Sequence, residues 1–399
     1  MVCEVDNYNC LPKVKMRITR LRLKNWRNFK DAEVRLERRS FFVGANAAGK
    51  SNLLDAVKFL RDLVVDGGGL QYAVRERRGV GEIRSVFARN KPNVCLEIDL
   101  GDDRVPQWTY ELEFKADAKS KAPVIVREVV YVRLWDSMNH ERIVNRPDEL
   151  DQQDPARLTQ TALEQVNANK AFREIADFFA SITYLHAVPQ IIRDPRRSVG
   201  ANDPYGGDLI ARIAQTPERT RKVRLRRMQE ALAVAVPQLS YLELIKDEQG
   251  VPHLRANYRH WRPNGAWQTE ESFSDGTLRL LGLIWALQEP GGPLLLEEPE
   301  LSLNYGVIAE LAPLMARATA KSKRQAVITT HSLDLLSNGV SLDEVYILSP
   351  TPDGTTVLAA ARLPAIPAML QGGVPLGEAV LPYTKAEGVE TLATMDLAT

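Results

Sequence analysis

One stretch restricts what this chain can fold into more than any other: FFVGANAAGKSNLLDAVKFL, residues 41–60. It spaces two glycines, a lysine and a serine as G-x-x-x-x-G-K-S, at Gly44, Gly49, Lys50 and Ser51. An apolar run (Phe41, Phe42, Val43) precedes the glycines, and Leu53, Leu54, Val57 and Leu60 recur at helical spacing after them. A strand that passes through a glycine loop into a helix is the context a phosphate-binding P-loop requires. Glycines let backbone N–H groups and the helix N-terminus converge on phosphate oxygens. Lys50 would reach β- and γ-phosphates, and Ser51 would hold a Mg2+ ion. The alternative, a chance match in a glycine turn, leaves both correct flanks unexplained. The chain is therefore expected to be α/β.

A second stretch, LLLEEPELSLN (294–304), runs three leucines into Glu297 and Glu298. Such a run reads as a buried strand, and carboxylates at its end are costly unless something neutralises them. The Mg2+ ion of a P-loop supplies that charge. Glu297 would face the metal, through a water, and Glu298 would orient or deprotonate the water that attacks the γ-phosphate. Pro299 ends the strand. Read alone, the same residues make an exposed acidic turn.

Two more stretches belong with these. ESFSDGTLRLLGLIWAL (271–287) starts with a serine–glycine turn and continues as an apolar helix through Leu278, Leu281, Leu283, Ile284 and Leu287. Ser274, Asp275, Gly276 and Thr277 at its start suit an anion, or make an ordinary helix cap. QAVITTHSLDLLS (325–337) reads as a buried strand ending in His331, either a γ-phosphate contact or a structural histidine.

In this order, the four stretches resemble the motifs of the ABC-type ATPases of the RecF, SMC and OLD group. FSDGT resembles their signature, LLLEEPE their Walker B strand and TTHS their histidine loop. The specific likeness covers residues 16–60 and 271–350. It implies an α/β fold, an ABC-ATPase head with a P-loop sheet, an antiparallel β subdomain and a helical lobe. The expected division is 1–185 for the lobe with the P-loop and antiparallel sheet, 186–290 for the helical lobe and 291–399 for the rest of the core. It also implies ATP and Mg2+ as cofactors and hydrolysis to ADP and phosphate, with Glu298 and His331 catalytic. Asn46, Ala47, Ala48, Gly49, Lys50, Ser51 and Asn52 would wrap the nucleotide after Gly44, with Arg27 and Asn28 approaching from the first strand. Ser274 and Gly276 would contact the γ-phosphate held by a second protomer, so the resemblance implies a homodimer with composite sites. Ser51, Glu297 and a Q-loop glutamine would serve the metal; that glutamine is Gln190 in YLHAVPQIIRDP, or its rival Gln71. Asn304 falls in the D-loop region. Many relatives have His-Pro where this chain reads Asn304-Tyr305, which puts those contacts in doubt.

Between the motifs, residues 94–135 alternate with period two and predict an antiparallel sheet, while 155–183 and 207–237 read as helices. RTRKVRLRRMQEAL carries Arg219, Arg221, Lys222, Arg224, Arg226 and Arg227: a solvated face, or a grip on DNA or an acidic partner. VRERRGVGEIR (74–84) is a second basic patch. Net charge over the 399 residues is only +1, so any contact with nucleic acid must come from such local patches. Cys3, Cys10 and Cys95 are too scattered for a disulfide framework or a zinc site. No run approaches the roughly 20 apolar residues that span a bilayer, and the start lacks a secretory core, so a cytoplasmic protein is expected. Sustained heptads and a TOPRIM-like acidic cluster are both missing from the sequence.

The expected function is an ATP-driven switch that acts on DNA or controls a separately encoded nuclease, as in anti-phage systems whose ATPases look similar. The alternatives are a RecF-like repair ATPase that binds DNA junctions and a scaffold gated by nucleotide without turnover. Glu298 speaks against the last.

Overall fold

The Phe41–Val43 run is fully buried, as a strand sandwiched in an α/β core must be. In the computed structural model it belongs to the strand Arg39–Gly44, which pairs in parallel with Val345–Thr351; the latter pairs antiparallel with Gly354–Ala359. The structure describes residues 16–102, 106–133, 140–196, 203–261, 266–386 and 388–394. Cys3, Cys10 and the N-terminal stretch read for a secretory signal lie outside them. The chain forms two compact units, one running to Ile182 and resuming at Ser341, the other Thr183–Val340.

In the first unit the helix Lys50–Asp62 buries Leu53, Leu54, Val57 and Leu60, the four residues its periodicity marks. Beside these elements the unit holds an antiparallel sheet of six strands. Their order is Phe29–Arg35, Arg17–Trp26, Val94–Gly101, Pro106–Ala116, Pro123–Arg133 and His140–Arg146. The alternation expected over 94–135 is therefore real as far as Arg133, residues 103–105 and 134–135 lying outside the described ones, and His140–Arg146 is a further strand.

The helix expected over 155–183 is mostly absent. Only Arg173–Ala180 is α-helical; Pro155–Thr159 and Lys170–Phe172 are short 3-10 turns. Two buried charges account for this. Glu128, fully buried, accepts from the Ala162 and Leu163 amides at 2.7 and 3.1 Å. Arg146 donates to the Gln160 and Arg157 carbonyls, both at 2.8 Å, and to Glu128 at 3.1 Å. Backbone groups that would close a helix instead solvate an ion pair that water cannot reach. The patch at 74–84 is likewise not all surface. Arg77 is buried and pairs with Asp55 and Asp62 at 2.8 and 2.9 Å.

In the second unit Leu294–Glu297 lies between Thr183–Leu185 and Ala326–Thr329, all parallel. Three strands, Leu239–Lys246, Pro252–Tyr258 and Ala266–Thr269, form a separate antiparallel sheet. The expected helix over 207–237 is two, Leu209–Gln215 and Glu218–Ala235, because Pro217 lacks the N–H that a continuous helix needs. Two further helices, Asp275–Gln288 and Tyr305–Ser322, complete the unit's frame.

Candidate functional site

Gly49 caps the helix Lys50–Asp62 with φ +94°, and a Cβ there would stand 1.9 Å from Asn28 Nδ2. Only glycine satisfies both the left-handed backbone and that approach. Asn28 reaches the loop from the hairpin end of the first strand. It donates to the Ala48 carbonyl at 3.0 Å and the Thr355 hydroxyl at 2.6 Å, and accepts from Asn52 at 2.8 Å. Its amide thus braces the loop. Arg27, next to it, donates to the Glu82 carbonyl at 3.0 Å and lies 3.5 Å from Asp55.

Lys50 is buried, and its ammonium donates to the Gly44 and Ala45 carbonyls at 2.9 and 3.1 Å. The loop is curled around its own lysine. Asn46 and Ala47 are exposed on its crest, Ala47 at φ +60°, while Ala48 is buried beneath. Ser51 is exposed in the first helical turn. Its hydroxyl is a hard oxygen donor, the kind Mg2+ takes alongside phosphate and water, so the chemistry of this turn fits that ion.

The second unit gathers the other motif residues. Parallel strands end at one edge of their sheet, so Tyr184, His186, Glu297 and the Thr330-His331 loop meet there although they are far apart in sequence. Tyr184 donates its hydroxyl to Glu297 Oε2, and His186 Nδ1 lies 3.9 Å from the same oxygen. Glu298 stands just past the strand at φ +46°, held by its amide to the Thr329 carbonyl at 3.0 Å. A left-handed glutamate costs about 1 kcal/mol or more. That backbone directs Glu298 Oε1 to within 2.7 Å of His331 Nε2. His331 itself lies two residues beyond its strand, which ends at Thr329.

Glu300 fixes this loop and was not among the expected residues. It is buried, and a single oxygen, Oε1, accepts from the Thr330 hydroxyl at 2.6 Å and the His331 and Ser332 amides at 3.0 and 3.3 Å. Burial pushes its carboxyl above the ordinary range. The sequence signal was the third acid of EEPE, placed by the Pro299 turn. Tyr184 and His186 were also missed, although both lie in the stretch read for the Q-loop glutamine.

Ser274 caps the helix Asp275–Gln288: its hydroxyl accepts from the Thr277 amide at 3.2 Å and lies 2.8 Å from the Thr277 hydroxyl. A Cβ on Gly276 would meet the Ser302 carbonyl at 2.5 Å, so the glycine admits the chain that follows the paired glutamates. Arg193 holds the turn through Asp275 at 2.5 Å and the Phe273 carbonyl at 2.8 Å. Gln190 is exposed on the short helix Pro189–Ile192, three residues before Arg193. Its rival Gln71 braces the first unit instead, donating to the Pro123 and Thr159 carbonyls at 3.0 and 2.8 Å. Asn304 caps the helix Tyr305–Ser322 through the Gly306 amide at 2.9 Å.

The basic helix is less of a patch than its sequence implies. Arg221 donates to the Ala214 and Thr216 carbonyls, and Arg224 stacks over Trp285 at 5.3 Å. Lys222 and Arg226 pair along the helix with Glu218 and Glu230. Arg219 and Arg227 are exposed and pair with nothing among the described residues.

Residues 40–337 match the family described as "AAA domain, putative AbiEii toxin, Type IV TA system", and residues 18–61 match "P-loop containing region of AAA domain". The first match spans well over half of the sequence, and the chain belongs to that AAA family. No curated protein matches it. Among solved structures it is similar to an SMC head bound to the C-winged helix domain of ScpA. The identity is 16%, the TM-score 0.53, and the match covers 86% of this chain and 96% of that one. It is also similar to the SMC head domain with an extended coiled coil, bound to a ScpA C-terminal domain derived from Pyrococcus furiosus. There the values are 13% and 0.50, over 89% and 100% of the two chains. This second comparison is again one of fold. The family makes the chain an ATPase bearing a nucleotide-binding P-loop, and its fold is similar to that of the SMC heads. Among the described residues no helix is long and apolar enough to cross a membrane.

Proposed function

We propose that the chain hydrolyses ATP with Mg2+ in a homodimer and uses the cycle to switch a separate effector. The observation that carries the chemistry is the Glu298–His331 approach of 2.7 Å. Glu298 takes a proton from the attacking water, and His331 holds Glu298 in place beside the γ-phosphate. Lys50 and the amides of residues 46–52 bind the β- and γ-phosphates; Ser51, Glu297 and Gln190 serve the metal and its waters. When bound, Mg2+ supplies neutralisation of phosphate charge. A scaffold that only senses nucleotide has no use for Glu298 strained into contact with a histidine.

Ser274 and Gly276 complete the nucleotide site of a second copy. Their helix presents its N-terminal dipole to the γ-phosphate, which favours the dimer only when ATP is bound. Such a pair is isologous, each chain lending its signature turn to the other. Lys50→Ala and Ser274→Arg should each be inactive alone. Mixed, they should regain ATPase activity well above both, through the one whole site of the heterodimer. Full activity of Ser274→Arg by itself would leave its turn a plain helix cap.

The effector is a protein or DNA. The SMC heads of similar fold are bound to ScpA, and the family's description points to a toxin–antitoxin setting. The first supports a protein partner and the second a toxin–antitoxin setting; that the partner is a nuclease acting in defence is our proposal. Capture on Glu298→Gln protein with and without ATP tests this. A nuclease retained only with ATP supports the reading, whereas replication or repair proteins would favour the RecF-like alternative.

A further inference from the structure

The helix that starts at Ser274 also carries Arg279, three residues past Gly276 and so about one turn along the same helix. No sequence motif singles it out. Its Nε is buried with no hydrogen-bond partner, and the side chain forms no hydrogen bond or ion pair among the described residues. It lines a small cavity with Glu297, Glu298, Pro299, Leu283 and Leu296. The charges it feels are carboxylates: Asp275 on its own helix, Glu298 and Glu300 on the facing turn. Burial lowers its pKa, and those carboxylates oppose the shift. Glu300 in turn has a buried oxygen, Oε2, without a partner.

A half-buried cation with an unmet donor thus stands beside acids with an unmet acceptor. The structural arginines Arg212 and Arg324 of this unit, by contrast, have ion-pair or carbonyl partners. Arg324, for example, donates to the Ala286, Glu289 and Gly292 carbonyls and the Thr183 hydroxyl. We infer that Arg279 is a positioning residue that couples the signature turn to Glu298 of the same chain. When Ser274 and Gly276 take the partner's γ-phosphate, Arg279 carries that engagement to the acids of its own site. Each half of the dimer then hydrolyses faster when it is also serving the other. The inference rests on the composite-site reading above.

Arg279→Met keeps an unbranched apolar stem and removes the guanidinium; Arg279→Lys keeps a charge. Arg279→Met should lower kcat roughly tenfold with KM for ATP little changed, and Arg279→Lys should recover most of it. The mixed dimer locates the effect. In the Lys50→Ala and Ser274→Arg mixture the working chain's own turn meets no γ-phosphate, so Arg279→Met on that Ser274→Arg chain should leave complementation as it is. Placed on the Lys50→Ala chain, which lends only its signature, it should be tolerated as well. Impairment of the mixture from either chain overturns the inference. If the parent mixture never regains activity, the composite-site reading fails, and the homogeneous protein decides this one. A fall in kcat alone with rescue by lysine upholds it; a parallel rise in KM, or no rescue, overturns it.

Discussion

The P-loop of the first unit and the acidic edge of the second are built on opposite principles. Around the loop, partners are local and satisfied. Lys50 is held by carbonyls five and six residues away, while Asn28 and Trp26 brace the loop and its helix from the first strand and its turn. At the acidic edge, partners are remote and needs are unmet. Tyr184 meets Glu297 across 113 residues of chain, and Thr330 meets Glu300 across 30. Glu298 is strained, while Glu300 Oε2 and Arg279 Nε lack partners. A curled, self-satisfied loop suits binding, which must recur unchanged at every cycle. Strain and unmet polar groups suit a step that waits for a conformational signal.

The sharpest way to break this comparison is to remove one residue from each side. Glu298→Gln keeps shape and hydrogen-bonding capacity but removes the base, so kcat should fall by about 10²–10⁴-fold while ATP affinity holds. Lys50→Ala should instead weaken nucleotide binding by roughly 100-fold, since it takes away the cation that faces two phosphates. Turnover kinetics and titration with a fluorescent ATP analogue separate the two. If Glu298→Gln turns over at the wild-type rate, the base lies elsewhere. Unchanged affinity in Lys50→Ala would remove the loop from the binding reading.

A smaller effect sharpens the acidic edge itself. Glu300 touches no phosphate in the proposed scheme; it acts through the loop that carries His331. Glu300→Ala should lower kcat roughly tenfold, and combining it with His331→Ala should cost little more than His331→Ala alone. A brace for the fold in general would behave differently. Its removal would add to that of His331 and lower the melting temperature of both backgrounds equally. Kinetics of the two single variants and the double, with melts on the same samples, supply the comparison.

The sequence made one side of this contrast legible and hid most of the other. The loop could be read because strand, turn and helix are contiguous and each obeys its own period. Ser274 could be read as a cap because capping is a local matter. Tyr184, His186 and Glu300 depend on which strands lie side by side, and a parallel sheet places neighbours by crossovers that leave no local trace. The segment after Pro155 departs from its expected helix for a related reason. Its helical composition is overruled by Glu128 and Arg146, charges from distant strands that claim its backbone. The strands Leu239–Lys246 and Pro252–Tyr258 escaped notice because many of their residues are only half buried, so alternation is weak. Where partners were distant, composition misled.

The smallest expected effect concerns the basic helix, where the structure narrows what the sequence proposed. If this face grips DNA, phosphate contacts must come from cations without another task. Arg221 caps the end of the preceding helix, Arg224 covers Trp285, and Lys222 and Arg226 have glutamates beside them. That leaves Arg219 and Arg227. Replacing both with glutamate should weaken DNA binding modestly and flatten its salt dependence, by about 0.9 in log–log slope for every duplex phosphate that is no longer neutralised. Basal ATPase activity and thermal stability should stay as they are, because neither residue packs against the unit. Arg224→Glu provides the contrast: it should lower the melting temperature by uncovering the Trp285 ring, with little specific effect on the salt slope. Binding to a fluorescent duplex at several salt concentrations reads both. A slope unmoved by the Arg219 and Arg227 pair, or no binding by the wild type, would make this helix a solvated face or a protein-docking surface, and the effector would then have to be reached through another part of the chain.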